Sequence, residues 1–227
     1  LAFTPDDLKI DAEVFGGRVK QLIFISSTTV HKKPHPVPVT EDAPLGNEWS
    51  DYARKKQACE EWLAANSEQC KLPYTIVRPS HTFSERWFPN AVASAGHTFA
   101  ARLESRKPVF VPDDGQTLWT LTTTRDFAVG LAGLVGNSET IGESFIITAD
   151  APLTWNQIYA ETARALGVDD PVIEKISTEF ACGVEELLVG KLKGDKAHTA
   201  VFDNSKIKRF VPEFNCRDSF RDGIARS

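Results

Sequence analysis

The sequence predicts an α/β protein, an open sheet of parallel strands covered by helices. Two observations predict it. The runs "KQLIFISS" and "LPYTIVRPS" have the length and unbroken apolar character of strands buried on both faces. Each follows a stretch with helix signals, and alternation of helix and strand gives parallel units joined by crossovers. At 227 residues, with 41% apolar and 25% charged residues, the chain can bury a sizeable core as one large domain or two small ones.

The elements follow in order. "LAF" at 1 to 3 reads as the last residues of a strand. It leads directly into "TPDDLKIDAEVF", where Thr4 is a good N-cap, Pro5 suits the first helical position, and Asp6 and Asp7 favour the positive end of the helix dipole. Gly16 and Gly17 stop that helix before "KQLIFISS". The next helix spans about Ser50 to Ser67, with an apolar stripe through Ala53, Cys59, Trp62 and Leu63. "LPYTIVRPS" is a buried strand ended by Pro79. "RKPVFVPDDG", "QTLWTLTTTRD" and "GESFIITAD" supply later strands, and Thr154 to Gln157 reads as a capping box for a C-terminal helix.

Composition excludes several functions. A net charge of −5 and a pI near 5.6 provide no cationic field for phosphate backbones, so no nucleic-acid partner is expected; "HKK" and "KIKR" read as solvated surface. The longest apolar runs fall far short of the roughly 20 residues of a membrane span, and no basic and apolar signal opens the chain as given. Cys59, Cys70, Cys182 and Cys216 lack CxxC spacing, which indicates thiols in a reducing compartment and a cytoplasmic location. His35, His97 and His198 have no metal-ligand spacing, so no metal is expected.

Ligands of open α/β sheets bind beyond the carboxyl ends of the strands. Those ends read "FTP" at 3 to 5, "SSTTVH" at 26 to 31 and "RPSHTF" at 78 to 83. Tyr52 and Lys56 lie four apart at the start of the helix after the second of these, so phenol and ammonium share one helix face. An ammonium near a phenol favours the phenolate and lowers a pKa that is ordinarily about 10, which would let Tyr52 exchange protons with a substrate oxygen. The alternative is a packed tyrosine and a solvated lysine.

Ser27 corroborates the first reading. "FISSTTV", then "DYARKK", then "TIVRPSHTF" resemble the extended short-chain dehydrogenase/reductase family, the NAD-dependent epimerase/dehydratases, over nearly the whole chain. The resemblance implies a Rossmann-like doubly wound parallel sheet with a smaller C-terminal α+β substrate subdomain. It assigns residues 1–90 to the cofactor domain, with 115–150 returning to it, and 91–114 and 151–227 to the substrate part. It implies NAD or NADP as cofactor, NAD being the family habit, a small-molecule or sugar substrate, and a homodimer through the Tyr52 helix. Ser27 then steadies the reacting oxygen, Tyr52 is the acid/base, and Lys56 holds the nicotinamide ribose. Thr4, Pro79 and His81 are candidate cofactor contacts; Thr28, Thr29 and Trp119 are candidate substrate contacts. Packing, capping or turn roles stand beside each of these.

Three departures matter. No Gly-x-x-Gly-x-x-Gly follows a strand here, so the chain is read either as a fragment of a longer protein or as a remnant that has lost tight dinucleotide binding. Leu118 and Trp119 stand where sugar-nucleotide members place a diphosphate-clamping arginine, which weakens the expectation of a nucleotide-sugar. His31 and Lys32 replace a frequent Tyr-Gly, a difference expected to reshape the pocket wall. A non-catalytic RNA- or ligand-binding protein, or a cofactor-independent isomerase or lyase, are the alternative functions.

Overall fold

The computed structural model describes residues 2–84, 87–92 and 96–226. Helix α1 (Pro5–Phe15) starts where the sequence places it. The Asp7 carboxylate accepts from the backbone N–H groups of Phe3 (2.8 Å) and Thr4 (2.9 Å) and from the Thr4 hydroxyl (3.1 Å). These bonds, led by that from Phe3, hold the Asp7 carboxyl below the usual carboxylate range. The expected strand end at "LAF" does not form at Ala2 and Phe3, because Phe3 donates to the cap instead of to a ladder; Leu1 lies outside the described residues. α1 stops at Gly16, where a Cβ would sit 2.4 Å from the Cys70 carbonyl oxygen and 2.6 Å from that of Ala12.

Strand β1 (Leu22–Ile25), helix α2 (Asp51–Asn66) and strand β2 (Tyr74–Pro79) follow. Ser50 caps α2 by accepting from the Ala53 N–H at 3.2 Å. Next come β3 (His81–Phe83), α3 (Gly96–Glu104), β4 (Val109–Pro112), β5 (Leu118–Thr123), α4 (Thr124–Leu134) and β6 (Ser144–Ile147). β7 (Pro152–Thr154) leads into α5 (Trp155–Ala165), whose capping box closes with Gln157 N–H to Thr154 Oγ1 (3.1 Å) and Thr154 N–H to Gln157 Oε1 (2.9 Å). The chain ends through β8 (Ile173–Ile176), α6 (Thr178–Val184), α7 (Leu187–Lys191), a π-helical turn at Leu192–Lys196, α8 (Ser205–Phe210) and α9 (Phe220–Ile224).

The fold is Rossmann-like α/β. β1, β2 and β6 form a parallel sheet in the order β1-β2-β6, with Phe24 opposite Ile76 and Val77 opposite Phe145. Successive β2 side chains face opposite ways. Ile76 joins Leu8, Phe24, Cys59 and Leu63 under α1 and α2, whereas Val77 joins Leu134, Phe145, Ile207 and Phe214 on the other face. Thus the segment around α8 packs on this sheet. β5 pairs in parallel with β3 and antiparallel with β7, and β4 pairs with β8. These rest on a core containing Phe83, Phe99, Trp119, Trp155 and Tyr159.

One buried ion pair fixes α2 on the sheet. Arg78, on β2, donates Nε to Glu60 Oε1 (3.0 Å) and Nη2 to Glu60 Oε2 (2.6 Å), and its Nη1 reaches the Glu41 carbonyl at 2.8 Å. Both side chains are about 95% buried, at 6% and 5% exposure. The bidentate fork satisfies the carboxylate that burial would otherwise penalise. No helix among the described residues is long and apolar enough to cross a membrane.

Candidate active site

The carboxyl ends of β1 and β2 and the first turns of α2 meet at one edge of the sheet. After β1, Ser27 begins a 3₁₀ turn; its Oγ accepts from the Thr29 N–H (3.2 Å) and donates to Thr29 Oγ1 (2.9 Å). Thr28 is buried and its hydroxyl donates to the Pro79 carbonyl at 3.2 Å, which ties the end of β1 to the end of β2. The Ser27 hydroxyl stands beside the Tyr52 phenol. Tyr52 remains 43% exposed, so its ring lies at a rim and not in solid packing.

Lys56, one turn below, is only 3% exposed. Its ammonium donates to the carbonyls of Ala2 and Ile25, both at 2.8 Å, and lies 4.6 Å from the Phe3 ring centroid and 4.9 Å from that of Phe24. A solvated surface lysine is therefore ruled out. Two of its three donors are used, leaving one for a ligand. Burial pushes the Lys56 ammonium down from its ordinary range.

The phenol does not behave as the spacing alone suggests. Burial pushes the Tyr52 pKa up, the Ser27 hydroxyl pulls it down, and the Asp195 carboxylate raises it further. The expected lowering by Lys56 is absent, because that ammonium lies 6.0 Å from the ring centroid and is directed at two carbonyls.

The other candidates divide. Pro79 ends β2 at this edge, and Thr28 and Thr29 belong to the Ser27 turn. Thr4 serves as the cap of α1. His81 accepts at Nε2 from Trp87 Nε1 (3.3 Å), and burial drives its pKa down to about 3, so it is a neutral acceptor. Trp119 is 3% exposed and packs on Trp155 at 5.2 Å between centroids, which places it in the core, with the Lys196 ammonium 5.5 Å over its ring. His31 is fully buried and donates Nδ1–H to the Ala43 carbonyl at 3.1 Å, so it forms no pocket wall.

Sequence reasoning missed Asn47 and the π-helical turn. Asn47 is 1% exposed; its Nδ2 donates to the carbonyls of Thr29 (2.7 Å) and Gly194 (2.6 Å), and its Oδ1 accepts from the Trp49 N–H at 3.1 Å. It thereby ties the Ser27 turn to the turn carrying Asp195 and Lys196. That link joins residues 147 apart in sequence, and no local pattern announces it.

The sequence pattern of the NAD dependent epimerase/dehydratase family matches residues 12–147. The chain belongs to that family. A curated relative, a putative UDP-glucose 4-epimerase from Methanocaldococcus jannaschii, is 29% identical over 101 residues, 44% of this chain and 33% of the relative. Among solved structures, UDP-glucuronic acid 4-epimerase from Bacillus cereus, with UDP-glucuronic acid and NAD, is similar at a TM-score of 0.76 and 18% identity, over 94% of this chain and 62% of that one. UDP-glucose 4-epimerase from Thermotoga maritima, with UDP-glucose, gives 0.74 and 20%, over 95% and 64%. The chain thus spans a third of the curated relative and somewhat over three-fifths of these structures.

Proposed function

We propose that the chain carries the proton-transfer edge of an NAD-dependent enzyme that alters a hydroxyl- or carbonyl-bearing carbon of a sugar or similar small molecule. The observation that carries this reading is the meeting of the Ser27 hydroxyl with a half-exposed Tyr52 phenol, one helical turn above the Lys56 ammonium. Tyr52 moves the proton of the reacting hydroxyl, Ser27 orients that oxygen, and Lys56 contributes positive charge and its remaining donor. The residues present suit the nicotinamide end of the cofactor, since Lys56 has a donor to spare beside the strand ends; no glycine-rich pyrophosphate cradle is part of this sequence. When bound, NAD supplies the hydride acceptor. The substrates named for the similar epimerases are UDP-sugars, which makes a nucleotide-sugar the first class to try, although Leu118 and Trp119 occupy the place of the usual diphosphate clamp. We further assign 1–90 and 115–150 to the cofactor side and 91–114 and 151–227 to the substrate side, apart from the α8 segment that packs on the first sheet; residues 85, 86 and 93 to 95, near that boundary, lie outside the described ones.

The test is NAD(H) and NADP(H) titration of the intact protein together with turnover of a panel of UDP-sugars and simpler sugars. For Tyr52→Phe the expected result is unchanged cofactor binding with turnover reduced about 10²- to 10⁴-fold. A variant that turns over at the parent rate would remove Tyr52 from the chemistry.

A further inference from the structure

A cleft of about 480 Å³ lies between the loop that follows β1 and the α6-to-π-helix region, with Lys33, Glu48, Trp49 and Lys193 among its walls. Most of its polar groups already have partners. Lys193 pairs with Glu179 at 2.7 Å and lies 5.5 Å from the Trp49 ring centroid. Asp113 accepts from the Thr178 N–H (2.8 Å) and hydroxyl (2.7 Å), and His198 gives its Nε2–H to the Lys193 carbonyl at 2.8 Å.

Two groups remain, and they differ in kind. Lys33 is 6% exposed, and its side-chain nitrogen meets no acceptor among the described residues. Burial pushes its pKa down from the ordinary lysine range. In either protonation state it carries N–H hydrogens at the buried end of the cleft that need an acceptor. Glu48 is exposed, and its carboxylate has no donor among the described residues. Beside them Trp49, 41% exposed, offers apolar wall together with Pro34 and Ala197.

Charge tells against an ionic ligand. Glu48, Asp113 and Glu179 outnumber Lys33 and Lys193 on the lining, so an anion is repelled. A cation would face the amine at the buried end and the Lys193 ammonium on the indole. A hydroxyl suits both ends, because its oxygen accepts and its hydrogen donates. Several hydroxyls around a ring with an apolar C–H face also match the exposed indole.

We propose that this cleft binds a neutral polyhydroxylated ring, a pyranose-type sugar. One hydroxyl oxygen accepts from Lys33, another hydroxyl donates to Glu48, and the ring face lies against Trp49. The site is separate from the edge formed by Ser27, Tyr52 and Lys56, none of which lines the cleft, and it does not rest on the assignment of Tyr52.

The experiment measures, by calorimetry, binding of methyl β-D-glucopyranoside, methyl β-D-galactopyranoside and methyl α-D-mannopyranoside to the full chain, with D-glucuronate at matched ionic strength as the acidic probe. Wild type is expected to bind at least one glycoside, and to bind D-glucuronate more weakly than that one. Lys33→Met should weaken glycoside binding at least about tenfold, as expected for loss of a buried hydrogen bond, and Trp49→Ala and Glu48→Ala at least about threefold each. A thermal melt of each variant checks folding. Trp49 and Glu48 are exposed, so their variants test the site even where Lys33→Met fails to fold. No glycoside bound by wild type, D-glucuronate bound more tightly than every glycoside, or glycoside binding unchanged in any folded variant of the three would each overturn the proposal. None of these readouts depends on turnover, so the fate of the Tyr52 reading is decided separately.

Discussion

His31 shows how far a single side chain can be read from sequence. Its neighbourhood in the chain suggests a pocket wall, yet it is fully enclosed, and burial followed by the nearby Arg78 charge drives its pKa down to about 3. The unfolded chain binds a proton near pH 6.5 and the folded one does not until far lower. Stability is therefore complete above about pH 6.5 and is lost as pH falls toward about 3, by up to about 1.4 kcal/mol per pH unit from this group. His31→Asn keeps a donor for the Ala43 carbonyl and should flatten the slope of unfolding free energy between pH 6 and 4, measured by urea denaturation at each pH. Asn47 is the complementary case. Asn47→Ala strands two buried carbonyls and should cost about 1–3 kcal/mol, visible in the denaturation midpoint. What the sequence disclosed of the candidate site was its local part, Ser27 and the Tyr52–Lys56 spacing. Asn47 and Asp195 escaped because the groups they act on lie in distant segments.

Among the elements, α1, β1, α2, β2 and the start of α5 were legible because each carries its own signal: a cap, an unbroken apolar run, or a capping box. The supposed strand at "LAF" misled for a comparable reason, since the cap at Asp7 took the backbone donors that a ladder needs. How α2 is seated was not legible, because it depends on Arg78 and Glu60 meeting across the β2–α2 interface. Arg78→Met leaves the Glu60 carboxylate buried alone and should destabilise the protein by about 3–5 kcal/mol, whereas the double variant Arg78→Met/Glu60→Leu should recover most of that loss. Thermal and urea unfolding of the three proteins would show whether the penalty lies in the stranded charge. Gly16→Ala should also destabilise, since its Cβ would press on two backbone oxygens that cannot easily move.

For the molecule as a whole, the alternation of helix and strand predicted the parallel sheet, and the three strands β1-β2-β6 realise it. The second half was harder to read. β5 pairs antiparallel with β7, and the segment around α8 returns to the first sheet, connections that depend on long-range packing and leave no period in the sequence. The bond from Asn47 to the Gly194 carbonyl shows that the candidate site is held by segments from both halves.

Tyr52, Lys56 and Glu60 recur every four residues along α2, and Glu60 is pinned to the strand beneath. The helix is thus keyed like a shaft. One residue inserted after Gln57 would turn everything upstream by about 100° relative to that key, swinging the phenol away from the serine. Exchanges on the outward side of this helix should be widely tolerated, but any change in its length between residues 52 and 60 should not.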